Sequence, residues 1–154
     1  MDGEKQRALF RRWPAGVSVV VAESGRRRAG LTVSSLVSVS LEPPLVSISL
    51  GRSASLFEPL QEAGEWAVSI LAGGQAELAQ HFARSVPPIA LWDGIAVRED
   101  DPLLLEGAGG WIRARTVEEF AAGDHVIFVG ALESLEPGPG QGTLVYVDRR
   151  YLEL

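Results

Sequence analysis

The sequence predicts a mainly β protein: an antiparallel barrel with a few short helices at its rim. Three observations carry this reading. About seven or eight short segments are β-branched or alternate with period two, as strands do. The gaps between them are punctuated by 17 glycines and 9 prolines, which favour tight turns over long crossover helices. No strand, Gly-rich loop and helix follow one another as a nucleotide fingerprint. Gly107-Ala108-Gly109-Gly110 lacks the dinucleotide spacing, and Lys5, the only lysine, rules out a Walker loop.

Taken in order, residues 4–12 predict a short amphipathic helix, with Ala8, Leu9 and Arg12 at helical spacing and Trp13-Pro14 closing it. Val17 to Ala22 is strongly β-branched and reads as a strand. Gly25 turns the chain into a second strand from Arg28 to Val33. Val37-Ser38-Val39-Ser40-Leu41 and Val46-Ser47-Ile48-Ser49-Leu50 both alternate, separated by Glu42-Pro43-Pro44. Each predicts one apolar face and one serine face, and Glu42 is the only charge between Leu31 and Gly51. An uncharged serine face implies that something flat, a ligand or another protein surface, packs closely on it. Ser53 to Glu58 resembles a capping box that opens a helix, with Pro59 shortening it. Trp66 to Leu71 alternates as a strand. Gln75 to Ala83 predicts a helix with Leu78 and Phe82 on one side. Residues 84–102 hold Pro87, Pro88, Gly94 and Pro102 and predict a long loop around a short strand at Ile95–Val97. Loops of this length commonly serve as lids or contacts. Trp111 to Val117 is a strand, Val126 to Leu132 a strand predicted to be buried on both faces, and Leu144 to Val147 the last strong strand.

Composition narrows the chemistry. Hydrophobic residues at 46% and charged residues at 22% are ordinary for one globular domain, here 1–154. A net charge of −6 disfavours nucleic acid. The one basic run, Arg26-Arg27-Arg28, reads as the solvated tip of a hairpin. The absence of cysteine removes thiol nucleophiles, disulfides and thiolate metal sites, and two histidines, His81 and His125, are too few for a zinc site. No apolar stretch reaches the length of a membrane span, and the charged start Met1 to Lys5 does not resemble a signal peptide, so the expected location is the cytoplasm.

Four segments together resemble the flavin reductase-like domain family. They are Trp13-Pro14-Ala15-Gly16-Val17-Ser18-Val19-Val20; the run from Gly30-Leu31-Thr32-Val33-Ser34-Ser35 through Glu42-Pro43-Pro44-Leu45-Val46; Gly123-Asp124-His125 before an apolar strand ending at Gly130; and Leu144-Val145-Tyr146 with Arg150-Tyr151. The order and spacing suit that family from about residue 7 to residue 152. Ser34 stands where the family often has Asn, Leu36 where it often has Phe, and Ala15 where it often has Thr. The resemblance implies an antiparallel Greek-key FMN-binding split β-barrel with a few short flanking helices. It implies an NAD(P)H:flavin oxidoreductase that is homodimeric, uses FMN or FAD with NADH or NADPH, and supplies reduced flavin to a partner monooxygenase.

The candidate site follows. Gly30, Thr32, Ser34, Ser35, Ser38 and Ser40 are small enough to let a flat ring approach the backbone, and the resemblance adds Leu31 and Val33 of the same segment. Each serine serves equally as an ordinary strand hydroxyl. Arg52, Ser53 and Ser55 at the start of the predicted helix suit a phosphate, as does Arg84. His81 and Phe82 are candidates to lie beside the flavin, with an exposed helix flank an equal reading for His81. The resemblance implies His125 over the flavin, near the nicotinamide; a structural His125 bonded to Asp124 is the competing role. Hydride transfer to a flavin needs no acid–base triad, so the scarcity of histidine is compatible with it. Two other functions remain open on the sequence: a flavoprotein that retains FMN and passes electrons to a protein, and a barrel that binds ligand without turnover.

Overall fold

The computed structural model describes residues 1–154. Three helices and ten strands follow in the order α1 (Gly3–Phe10), β1 (Ala15–Gly16), β2 (Ser18–Ser24), β3 (Arg27–Val33), β4 (Val37–Leu41), β5 (Pro44–Gly51), α2 (Phe57–Ala63), β6 (Glu65–Ile70), α3 (Ala76–Ala83), β7 (Gly110–Ala122), β8 (His125–Pro137), β9 (Leu144–Val147) and β10 (Arg150–Glu153). Seven strands form one antiparallel sheet in the order β3-β2-β6-β7-β8-β5-β4, and β1-β9-β10 form a second, small one. No helix is long and apolar enough to cross a membrane.

The large sheet curls because its two ends share a core. Val20 and Ala22 of β2 pack in one cluster with Val46, Ile48 and Leu50 of β5, although three strands separate them in the sheet. Trp66, Val68 and Phe128 fill the interior between them. The edge strands β3 and β4 are not hydrogen-bonded to each other, so the barrel is split there. A second core lies outside the barrel wall, where Val17 and, in β2, Val19 and Val21 meet Ala79 and Phe82 of α3, Leu91, Leu105 and Leu144. Strand β2 is therefore buried on both faces, as its β-branched run requires.

Several expectations change. Helix α1 has no buried residue, so its apolar side chains Leu9 and Phe10 face outward. The predicted capping box does not form: α2 begins at Phe57 behind Leu56, without a side-chain cap. Ile95–Val97 is not a strand but contributes one bridge, Val97 to Leu105. Strand β8 is not buried on both faces. Val126, Phe128 and Gly130 point into the barrel, while Ile127, Val129 and Ala131 lie half-exposed on its outside. The serine faces of β4 and β5 lie on opposite sides of the sheet, because Val37 pairs with Ser47 and Ser38 with Val46, and a register shift follows Ser38. Ser47 and Ser49 therefore stand on the outer wall beside Val37 and Val129, while Ser38 lies on the side of the apolar Val46.

Candidate functional site

Two adjoining cavities open along β3. The smaller, of 310 Å³, lies at the split, where the end of β3 and the turn Ser34-Ser35 approach the ends of β5 and β8. It is lined by Leu31, Thr32, Val33, Ser34, Ser35, Ser49, Leu50, Gly51 and His125. Its walls are fastened by side chains bonded to backbone. Ser35 Oγ accepts from the Ser49 N–H at 3.0 Å and donates to the Ser49 carbonyl at 3.1 Å, joining the β3–β4 connection to β5. Thr32 Oγ1 donates to the Ala79 carbonyl at 2.6 Å and holds α3 against β3. Both hydroxyls are thus used by the fold, whereas Ser34 is exposed and its hydroxyl has no protein partner. A slot walled by short side chains and strand backbone suits one flat ring.

His125 begins β8 and pairs with Gly51 of β5. It follows a two-residue turn in which Gly123 takes φ of 65°, a left-handed value that favours glycine. The turn is pinned by the Arg52 N–H, which donates to the Asp124 carbonyl at 3.0 Å. The Asp124 carboxylate lies 2.7 Å from His125 Nδ1. That hydrogen bond, and then the charge of His125, hold the Asp124 carboxyl below the usual carboxylate range. With Nδ1 committed to the carboxylate, Nε2 is the ring nitrogen left without a protein partner. The structure thus realises the Asp124 contact while leaving the second nitrogen for a ligand.

The larger cavity, of 770 Å³, continues from Leu31 along β3 to the β2–β3 turn. Gly30, Ser53, Ser55, Phe82 and Arg84 line it together, bringing three separate parts of the sequence to one cleft. Phe82 is buried and packs edge-on against His81, with ring centroids 5.0 Å apart. A Cβ on Gly30 would come within 2.8 Å of Phe82 Cε1, so glycine is what lets α3 lie this close to β3. Ser53 and Ser55 sit in the turns before α2 rather than at its first residues.

Other candidates fall elsewhere. Ser38 and Ser40 line neither cavity. Arg52 lines neither and meets the site through its backbone N–H. His81 Nε2 donates to the Leu91 carbonyl at 2.7 Å, so its ring is committed to holding the loop after α3. Two groups were missed. The basic run Arg26–Arg28, expected as a merely solvated tip, lines the large cavity, and so does Trp92. Arg28 lies over the Trp92 ring at 4.8 Å, and Trp92 Nε1 donates to the Arg28 carbonyl at 2.8 Å. The charge run was visible in the sequence, but its proximity to Trp92 was not. The long loop after α3 does act as a wall, since Arg84 to Ile89, Leu91 and Trp92 border the cleft.

The donor set fits a phosphorylated flat ligand: a narrow slot beside an unpartnered ring nitrogen, opening into a cleft with guanidinium and hydroxyl groups. The chain is 37% identical over 143 residues to the reductase component of 4-hydroxyphenylacetate 3-monooxygenase from Thermus thermophilus, covering 93% of this chain and 91% of that protein. It is 32% identical to an NADH-dependent FAD reductase of Streptomyces globisporus, covering 97% of this chain and 85% of that one. Among solved structures, the flavin reductase component of a bacterial two-component tryptophan halogenase superposes with a TM-score of 0.89 at 32% identity, over 99% of this chain and 98% of that one. The split-barrel architecture expected from the sequence is thereby established. Residues 10–154 match the profile described as the flavin reductase like domain, and the chain belongs to that family.

Proposed function

We propose that residues 1–154 form a single flavin reductase-like domain that carries hydride from NADH or NADPH to a flavin held in the split of its barrel, as a cytoplasmic homodimer that supplies reduced flavin to a partner monooxygenase. The chain is an NAD(P)H-dependent flavin oxidoreductase. The observation that carries the site assignment is the continuity of the two cavities through Leu31, which lines both. The flavin, when bound, supplies the hydride-accepting chemistry. The residues supply position and field. Thr32 to Ser35 form the wall for the ring, with their backbone amides available where negative charge grows. Ser53, Ser55 and Arg84 receive the phosphate. Asp124 holds His125 through Nδ1, and His125, which lines the slot, is assigned to orient the nicotinamide through Nε2.

The homodimer rests on the outer wall of β4, β5, β8 and β7. Val37, Ile127, Val129 and Phe120 lie there around the small Ser47 and Ser49, and Val37 and Phe120 are about half exposed. An apolar wall with small central residues suits close packing of a second, twofold-related copy. His125 stands on the same wall, two and four residues before Ile127 and Val129, so the partner copy would border the flavin slot.

One assay tests the activity: oxidation of NADH and of NADPH with FMN, FAD and riboflavin supplied in turn. Turnover with at least one pairing is expected, and none with any pairing would overturn the reading. Light scattering at micromolar protein tests the assembly; a monomer that still binds flavin would refute the dimer.

A further inference from the structure

Strand β3 serves as a ruler for the ligand. Thr32 to Ser34 line the slot for the ring, Leu31 lines both cavities, and Gly30 back to Arg26 lines the large cleft. From Val33 to Arg27 the strand rises by about 20 Å, at roughly 3.3 Å per residue. In the reading above, Ser53, Ser55 and Arg84 meet the single phosphate of a mononucleotide, which leaves the lining from Arg26 to Ala29, about 10 Å of chain, without an assigned occupant.

That remaining stretch is basic. Four arginines (Arg26, Arg27, Arg28 and Arg84) but only one acid, Glu23, line the cleft, in a chain whose net charge is −6. Two of the four are engaged. Arg28 stacks on Trp92, donates from Nη1 to the Pro102 carbonyl at 3.1 Å and lies 3.5 Å from Glu23. Arg27 lies 3.7 Å from Glu58. Arg26 and Arg84 appear in no ion pair or side-chain hydrogen bond, yet they reach one cleft from different elements, the β2–β3 turn and the end of α3. Guanidinium groups arriving from two sides suit the oxygens of bridged phosphates.

We infer that the cleft is built for a flavin dinucleotide in preference to the mononucleotide, with Arg84 and Arg26 flanking the pyrophosphate and the adenylate lying along β3 toward the hairpin tip. This rests on the flavin-reducing reading above and specifies its substrate class.

The test is equilibrium binding of riboflavin, FMN, FAD and ADP by fluorescence quenching and competition, on the wild type, Arg26→Ala and Arg26→Glu. FAD is expected to bind about tenfold or more tighter than FMN, the usual worth of an added charge-assisted contact. Arg26→Ala should weaken FAD by about tenfold and FMN by less than about twofold, with Arg26→Glu weakening FAD further. ADP should displace FAD. Arg26 is exposed in a turn, so unchanged melting temperatures are expected for both variants and serve as the folding control. Equal or tighter binding of FMN, or equal losses for the two flavins, overturns the inference while leaving flavin reduction intact. A rise in KM for NADPH with unchanged FAD affinity also overturns it, assigning Arg26 to the nicotinamide nucleotide. Absence of binding and turnover with every flavin would instead refute the underlying reading.

Discussion

Replacing Gly30 by alanine probes the contact on which the cleft depends. The added Cβ would lie 2.8 Å from Phe82 Cε1, 3.0 Å from Cδ1 and 3.5 Å from Trp92 Cζ2. Carbon atoms rest at about 3.5–4.0 Å, so the Phe82 ring must retreat by roughly 0.7 Å. It has little room to do so. Phe82 is buried, edge-packed on His81, and 5.3 Å from Trp92 centroid to centroid. His81 and Trp92 are themselves tied to the carbonyls of Leu91 and Arg28. The strain therefore passes to the α3–β3 interface and to the Thr32–Ala79 hydrogen bond. Overpacking of this kind costs about 1–3 kcal/mol, and alanine returns about 0.4–1 kcal/mol through the unfolded chain. The net loss of about 1–2 kcal/mol lowers Tm by roughly 2–8 °C in a domain of this size. Flavin affinity should fall as well, since Phe82, Trp92 and Arg28 all line the cleft. Thermal melts with and without flavin measure both effects. A second substitution, Phe82→Leu, isolates the clash: Gly30→Ala should cost less in that background than in the wild type. A wild-type melting temperature for Gly30→Ala, or the same loss in both backgrounds, would refute the reasoning.

Three further outcomes are expected. His125→Ala should slow anaerobic flavin reduction about tenfold or more in stopped flow, with a much smaller change in flavin affinity, because misplacing the two rings penalises the transfer step; a normal rate in a destabilised variant would make His125 structural. Gly130→Ala should lower Tm by about 4–12 °C, from an overpacking cost of about 2–3 kcal/mol, because its Cβ would meet Trp66 Cζ2 at 2.6 Å and the Ala114 Cβ at 2.9 Å; differential scanning calorimetry measures this. Burial, and then the neighbouring Tyr146, raise the pKa of Tyr151 above the ordinary tyrosine value. The unfolded chain therefore releases that proton first. The contribution of Tyr151 is complete below a pH of about 10 and is lost as pH rises through the raised value, so urea melts of Tyr151→Phe should decline less steeply over that alkaline range than those of the wild type.

Most strands could be read in advance because their signals are local. The β-branched run Val17–Ala22 fits β2, and the alternation in Val46–Leu50 fits β5, whose even positions fill the barrel. The turn Gly123-Asp124 and the bond between Asp124 and His125 were legible for the same reason, since neighbours in sequence remain neighbours in space. The partners of Ser35, Thr32 and His81 were not. They lie 14, 47 and 10 residues away, and each of these side chains serves a backbone group whose position depends on how the barrel closes. Ser38 and Ser40 looked equivalent to Ser34 and Ser35, but β4 is the free edge of the sheet and carries them away from the slot.

The sequence by itself determined the class of fold, the order of the strands and the family, because period-two patterning, turn residues and short motifs are properties of consecutive positions. Only the tertiary structure decided which face of β4 and β8 is outside, that Arg26 and Arg84 share a cleft, and that Trp92 fixes Arg28 beside it. Alternation says that every second residue shares a side, but not which side is inward. That choice is made when β2 and β5 pack across the interior, and a loop such as 84–102, which has no period at all, is placed only by the surfaces it then finds to cover.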